Sequence, residues 1–300
     1  MNKTLIAVVG PTAIGKTNLG IQLAQHYQTD IISADSRQFF KEMTIGTAVP
    51  SKKELASATH HFIQHISIHD TYTVGTFEKE ALDVLNQLFV KKDIVIMVGG
   101  SGLYVDAVTK GLDTFPKVDT KIREELNAQL EHNGIEKLQQ ELKEKDPEYY
   151  ETVDLNNPHR LIRALEICRG TLQPYSSFVG KNKPKRPFNV VYVGLQADRE
   201  VVYDRINRRV DIMVKEGLLE ETEALYPYKD LNALQTVGYK EIFAHYDGNF
   251  TLEDAISEIK KNTRRFAKRQ GTWFRKNQEI LWFDYQEDIK NVLATVNSKL

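Results

Sequence analysis

Gly10-Pro11-Thr12-Ala13-Ile14-Gly15-Lys16-Thr17 follows an apolar run at residues 5–9 and opens a segment, 18–27, that reads as a helix. The spacing fits G-x-x-x-x-G-K-[ST] in the context that gives that pattern meaning, strand then glycine turn then helix. Glycines let the backbone curl until several amide N–H groups point at one anion. The helix N-terminus adds partial positive charge, Lys16 adds a full one, and the Thr17 hydroxyl offers Mg²⁺ a ligand. An ordinary strand-to-helix turn would not need the Lys-Thr pair. Residues 10–17 are therefore expected to bind a di- or triphosphate.

Outward from the loop, residues 30–34 read as a short buried strand ending on Asp35-Ser36-Arg37-Gln38. Residues 60–63 lead into a helix at 74–90. A second buried strand, 93–98, ends on Gly99-Gly100-Ser101-Gly102. Three strand–turn–helix units in a row predict a parallel sheet wrapped by helices, with ligands at the carboxyl ends of its strands. That puts the glycine loop, Asp35 and Ser101 along one rim. From 118 to 148 the pattern turns helical and highly charged, broken at His132-Asn133-Gly134. A further helix starts at Asn157 (N-cap) and Pro158 and runs to Arg169. A basic, proline-rich linker follows at 181–187. Strand character returns at 188–195, then helices at 199–216 and 218–226. A long amphipathic helix, 251–276, is expected to break near Gly271, and a last strand (280–283) and helix (287–299) close the chain. The expectation is an α/β fold, a P-loop NTPase-like parallel sheet flanked by helices. Its core is 1–112 plus 188–300, and 113–187 is an all-helical insertion domain.

Charge is nearly balanced, 40 Lys and Arg against 41 Asp and Glu. A polyanionic partner must then be met by a local basic patch. A single cysteine, Cys168, rules out a disulfide framework and a Cys-based zinc site and suits a reducing compartment. Residues 2–9 are too short for a signal peptide, and no apolar run reaches membrane-spanning length. The chain is expected to be cytoplasmic, with a monomer as the default.

Asp35 has three readings: a Walker-B-type Mg²⁺ ligand, a general base facing the bound phosphate, or a turn aspartate. Arg37 and Gln38 carry the bidentate groups suited to a base edge, which favours a nucleobase nearby. Ser101 is a helix N-cap, a substrate contact, or both. Between 260 and 276 lie Lys260, Lys261, Arg264, Arg265, Lys268, Arg269, Arg275 and Lys276, with no acid. A single-sign helix face in a neutral protein is better explained by a phosphate backbone than by solvation alone. His159, Arg160 and Arg163 extend this charge within the insertion. Arg205 and Arg209, four apart, either clamp a pyrophosphate or pair with Glu200, Asp204 or Asp211. His60-His61 lacks a third metal ligand, and Cys168 reads as packing.

Taken together these stretches resemble the tRNA dimethylallyltransferase family. The likeness runs through Gly10–Thr17, Ser33-Ala34-Asp35-Ser36-Arg37-Gln38, Ile45-Gly46-Thr47-Ala48, His60-His61 and Gly99-Gly100-Ser101-Gly102-Leu103-Tyr104. It continues through Asn157-Pro158-His159-Arg160-Leu161-Ile162-Arg163, Val237-Gly238-Tyr239-Lys240-Glu241 and Thr263-Arg264-Arg265-Phe266-Ala267-Lys268-Arg269-Gln270. The resemblance implies transfer of a dimethylallyl group from dimethylallyl diphosphate to N6 of the adenosine 3′ of the anticodon. It implies a diphosphate site at Gly10, Pro11, Thr12, Ala13, Ile14, Gly15, Lys16 and Thr17, with Mg²⁺ at Thr17 and Asp35 as base. It also implies tRNA contacts at Asp35, Ser36, Arg37, Gln38, Ser101, Arg123, His159, Arg160, Leu161, Ile162 and Arg163, to which the basic face adds Arg264, Arg265 and Lys268. Ile14 replaces a smaller residue and is expected to narrow the isoprenoid pocket. Ser101 stands where threonine is commoner, Phe39-Phe40 replaces Val-Tyr, and Gln64 replaces an Asp. The rival expectations are an isopentenyltransferase acting on free AMP, ADP or ATP, a small-molecule kinase, and a nucleic-acid-binding NTPase.

Overall fold

The computed structural model describes residues 3–181 and 183–300, so Asn2 of the opening segment and Asn182 of the basic linker lie outside the described residues. Six strands form one sheet: β1 (Thr4–Val9), β2 (Ile31–Ser33), β3 (His60–His61), β4 (Ile94–Val98), β5 (Asn189–Gln196) and β6 (Leu281–Asp284). All pairings are parallel and the order is β3-β2-β4-β1-β5-β6. Every residue of β1 is buried, as a central parallel strand covered on both faces requires. Leu5, Ala7 and Val9 face one apolar layer, with the helix Val74–Phe89 and with Val105 and Val108 of the helix Gly102–Lys110. Ile6 and Val8 face the other, with Leu19, Leu23 and Ala24 of the helix Lys16–Tyr27 and Val202 and Ile206 of the helix Arg199–Lys215.

The order places the topological switch between β4 and β1, where the connections leave in opposite directions and ligands bind in α/β sheets. Gly99 closes the gap between neighbouring strand ends. A Cβ there would lie 2.4 Å from the Ala34 carbonyl oxygen, so only glycine allows β2 and β4 to end side by side.

The chain divides into two compact units, one of residues up to Thr109 with Arg186–Leu300 and one of Lys110–Lys185. The division falls a few residues before the boundaries read from the sequence because two anchors lie there. The Gly102–Lys110 helix carries the first unit to Thr109. Arg186 returns to it, donating to the carbonyls of Val108 (2.8 Å) and Ala107 (2.6 Å) and pairing with Glu78. The second unit has helices and no strand among its described residues: Thr120–Asn133, Ile135–Lys145, Pro147–Tyr150 and Pro158–Thr171, joined by irregular segments. Its core is Leu126, Leu138, Leu142, Leu161, Ile162, Ala164 and Leu165. Asn157 caps the last of these helices, its side chain accepting from the Arg160 amide.

Several elements differ from expectation. His60–His61 is a two-residue edge strand paired with Ile31-Ile32, too short for any periodicity to reveal. The helices Lys52–Ser57 and Tyr239–Tyr246 were not anticipated, whereas Gly102–Lys110 is the helix that an N-cap reading of Ser101 implies. The long helix runs unbroken from Leu252 to Phe274, because Gly271 sits within its regular turns and Phe274 is buried beyond it. As a test of the strand-end packing, Gly99→Ala is expected to destabilise the protein by about 1–3 kcal/mol, read by urea denaturation.

Candidate active site

Three adjacent strand ends build the site. β1 delivers the glycine loop, β2 delivers Asp35, and β4 delivers Gly99-Gly100-Ser101. Gly10 has φ +141°, and a Cβ on it would stand 2.6 Å from the Leu195 carbonyl oxygen. Ala13 (φ +64°) and Gly15 (φ +113°) complete the left-handed steps that curl the loop onto the N-terminus of the helix Lys16–Tyr27. The Lys16 ammonium donates to the Pro11 carbonyl at 2.8 Å. Burial pushes it down to about 8; the Asp35 charge opposes this and Arg209 adds to it. The Thr17 hydroxyl makes no hydrogen bond among the described residues, which leaves a hard oxygen free at the loop. Mg²⁺ characteristically takes few protein ligands and completes its shell with phosphate and water, so the donor set fits that ion.

Asp35 is half-buried and its Oδ1 accepts from the Arg37 amide at 3.3 Å. Ser101 does not act as a side-chain cap. Its hydroxyl accepts from the Ser36 amide (3.1 Å) and lies 3.1 Å from the Ser36 hydroxyl, fixing the chain that follows Asp35. The Arg37 guanidinium lies 4.5 Å from the Phe266 ring centroid. Burial lowers its proton affinity, with Asp35 and Glu241 opposing. The Gln38 amide donates to the carbonyls of Ala48 (2.8 Å) and Thr47 (3.3 Å), which holds the following loop and leaves only its oxygen for a ligand. Glu221 fixes the same loop, accepting from the amides of Thr44, Ile45 and Gly46 and from the Tyr239 hydroxyl.

A cavity of about 70 Å³ opens between these groups. Its polar end is Thr12, Ala13, Asp35, Arg37 and Arg209, and its other wall is apolar, formed by Ile206, Val210, Met213, Leu218, Val237 and Ile259. Arg209 pairs with no carboxylate among the described residues. Burial lowers its proton affinity, Arg205 adds to that, and Asp35 opposes it. Arg205 is placed differently. Its Nε donates to the Ala13 carbonyl at 2.7 Å and its guanidinium lies over Tyr285, so it braces the loop from behind. Of the three carboxylates weighed as partners, Asp204 is engaged with Arg208 and Asp211 with Lys260. Ile14 is buried in the core beside the loop helix and does not line this cavity; it lines a second one, of about 490 Å³, with Gly15, Asn18 and Arg205.

The basic helix Leu252–Phe274 is held by its other side. Asn262 donates to Glu241 (2.8 Å), Gln270 touches both Thr12 and Gly100, and Trp273 donates to Asp106 (2.9 Å). Lys260 and Lys261 pair with Asp211 and Glu258. Arg264 donates to Asn207 (2.8 Å) and lies over Tyr203. Arg265, Lys268 and Arg269 remain exposed, with no carboxylate partner among the described residues. Within the second unit His159 and Arg160 are exposed. Arg123 and Arg163 converge on Glu166, each at 2.9 Å. Burial works to raise that carboxyl, but the two guanidinium hydrogen bonds outweigh it and hold it below the ordinary range. Leu161 and Ile162 need correction as contacts, because their side chains fill the unit's core. Cys168 is buried there too, its thiol pushed up by burial. His61 is bonded to Asp30, and no cluster of three metal-ligating acids, histidines or cysteines exists among the described residues.

The family model for IPP transferase matches residues 38–277. A tRNA dimethylallyltransferase of Christiangramia forsetii is 62% identical over 300 residues, covering 100% of this chain and 99% of the relative. The chain belongs to the IPP transferase family. Another tRNA dimethylallyltransferase, of Flavobacterium psychrophilum, is 59% identical, covering 99% of this chain and 98% of the relative. Among solved structures, the full-length tRNA isopentenylpyrophosphate transferase of Bacillus halodurans aligns with TM-score 0.74 at 37% identity, over 99% of this chain and 96% of that one. A eukaryotic dimethylallyltransferase, described as acting on tRNA, aligns with TM-score 0.83 at 26% identity, over 99% of this chain and 79% of that one. The IPP transferase fold is thus the six-stranded parallel sheet described above, and the activity class is prenyl transfer.

The depressed Lys16 predicts a pH dependence. Above pH 8 the free protein holds this amine increasingly neutral, and only the protonated fraction is competent to grip an anion. Affinity for a diphosphate is expected to fall about fivefold from pH 8 to pH 9, measured calorimetrically, and Lys16→Arg should flatten that fall.

Proposed function

We propose that the chain transfers a dimethylallyl group from dimethylallyl diphosphate to N6 of the adenosine 3′-adjacent to the anticodon of tRNA, releasing diphosphate. The observation that carries this reading is the composition of one small cavity. Thr12 and Ala13 of the phosphate loop line it with Asp35 and with Arg209, which has no carboxylate partner among the described residues. Apolar side chains such as Ile206, Val210, Met213 and Ile259 line the rest. A kinase has no use for an apolar wall beside its phosphate loop, whereas an allylic diphosphate carries a short hydrocarbon there. The names of the relatives support the same acceptor and donor.

The adenine amine is a weak nucleophile because its lone pair is delocalised into the ring. Asp35 accepts a proton from N6 as the N6–C1 bond forms. The C1–O bond breaks and its electron pair leaves with diphosphate. The loop amides, the helix N-terminus, Lys16 and Arg209 stabilise the charge that develops on the departing oxygen. Mg²⁺, when bound, would sit against the Thr17 hydroxyl and neutralise diphosphate oxygens. The target base must leave its stack to reach a carboxylate at a sheet rim, as an extruded loop base does. Exposed Arg265, Lys268 and Arg269, with Arg160 of the insertion, supply cations for the RNA backbone, and the exposed His159 offers a hydrogen-bonding ring. The reading places the protein in the cytoplasm, acting as a monomer.

Labelled dimethylallyl diphosphate offered to unmodified tRNA, to free AMP and to no acceptor tests the whole reading. Label on tRNA alone supports it; label on AMP, or ATP turnover without prenyl transfer, replaces it with a rival. Asp35→Ala is expected to lower the single-turnover rate by roughly a hundredfold or more with RNA affinity largely kept. A near-native rate removes Asp35 from the role of base. Converting Arg265, Lys268 and Arg269 to Gln should weaken RNA binding and reduce the slope of log affinity against log salt by about 2. An unchanged slope shows that face to be merely solvated.

A further inference from the structure

Gln270 is a polar side chain on the apolar stripe of the helix Leu252–Phe274, and it is 6% exposed. Its Oε1 accepts from the backbone amide of Thr12, third residue of the glycine loop, at 2.8 Å. Its Nε2 donates to the carbonyl of Gly100 at 2.9 Å. The two ends of one amide thus join the loop after β1 to the turn after β4, across the switch point where the ligand is expected. The fit is close. A Cβ on Gly100 would fall 2.3 Å from Gln270 Nε2 and 3.5 Å from the Lys16 ammonium. So the residue that carries the loop's charge and the residue that ties the loop down meet at the same glycine. The next residue after Gly100 is Ser101, whose hydroxyl receives the Ser36 amide and so steadies the segment behind Asp35.

We infer that Gln270 is a positioning residue for the diphosphate: its amide sets the Thr12 end of the phosphate loop and the Gly100 turn beside Lys16 in the one arrangement that grips the leaving group. This rests on the reading that the loop holds the allylic diphosphate. The chemistry of the pair is specific to an amide. A side chain of similar size without polar atoms leaves a buried N–H and a buried C=O unmatched, and each such loss carries a full desolvation cost. An ionised carboxylate keeps an acceptor for Thr12 but has no donor for Gly100. It also adds a negative charge beside an anion site. A protonated carboxylic acid restores both hydrogen bonds, accepting from Thr12 and donating to Gly100.

That difference supplies the test. Dimethylallyl diphosphate affinity is measured by calorimetry for Gln270→Met and Gln270→Glu at pH 7.5 and pH 5.5, each relative to the native protein at the same pH. Affinity for an anticodon stem-loop and kcat and KM are measured beside it. Gln270→Met is expected to lose about tenfold in diphosphate affinity and raise the KM for that substrate, with stem-loop affinity within about twofold of native. Gln270→Glu should show the larger loss at pH 7.5 and recover most of it at pH 5.5, where the buried carboxyl takes up its proton. Native diphosphate affinity in the Met variant overturns the inference. So does a Glu variant whose deficit is the same at both pH values, a comparison that stands even if the Met variant does not fold. Lys16→Ala separates this inference from the one beneath it. If that variant still binds the diphosphate normally, the loop is not the diphosphate site, and it is the proposed function that fails.

Discussion

The constraint on which the site depends is the burial of a lysine ammonium in a backbone turn. Lys16 is drawn against the Pro11 carbonyl, far enough from water for its proton to be held only up to about pH 8, with Asp35 supplying the charge that favours it. That arrangement needs the loop to curl, which needs Gly10 and Gly15 at positive φ. It also needs the neighbouring strands to end level with one another, which Gly99 permits. Once β2, β4 and β1 end side by side, a carboxylate, a glycine turn and an apolar slot meet at one cavity. The chemistry is then a matter of what fills the slot. Side chains from the helices Arg199–Lys215, Leu218–Leu225 and Leu252–Phe274 make it apolar.

Much of this was legible in the sequence because its signals are local. The strand–glycine–Lys-Thr–helix order, the apolar runs of β1 and β4, the Asn-Pro helix start and the single-sign face of the long helix each lie within one continuous segment. What escaped is non-local. His60–His61 becomes a strand only because β2 is there to pair with it. The Gln38 amide could be weighed as a base reader from its type alone, yet it is occupied by carbonyls ten residues on. Arg205 and Arg209 share a helix face, but only the position of the loop makes one a brace and the other a lining residue. Lys260 stood in an acid-free run, and its acid came from another helix. Leu161 and Ile162 were carried with their motif, although their apolar character fits the insertion's core, where they lie.

The helical insertion shows a different economy. Its leucine core is small, and polar anchors supplement it: Arg123 and Arg163 converge on Glu166, and Arg169 bonds Glu141 and Gln129. Removing one partner from such a cluster leaves charge behind in a partly dry place, so these arginines belong to the unit's architecture as well as to any surface it presents.

The tie between Thr12 and Gln270 spans 258 positions of chain. On a ribosome adding about 5–20 residues per second, the glycine loop would emerge roughly ten seconds to a minute before its far anchor exists. Through that interval the nascent chain has β1 and the loop but neither the long helix nor β6. The hydrogen bond that fixes Thr12 is therefore among the last contacts of the glycine loop to form, and half-made copies lack it.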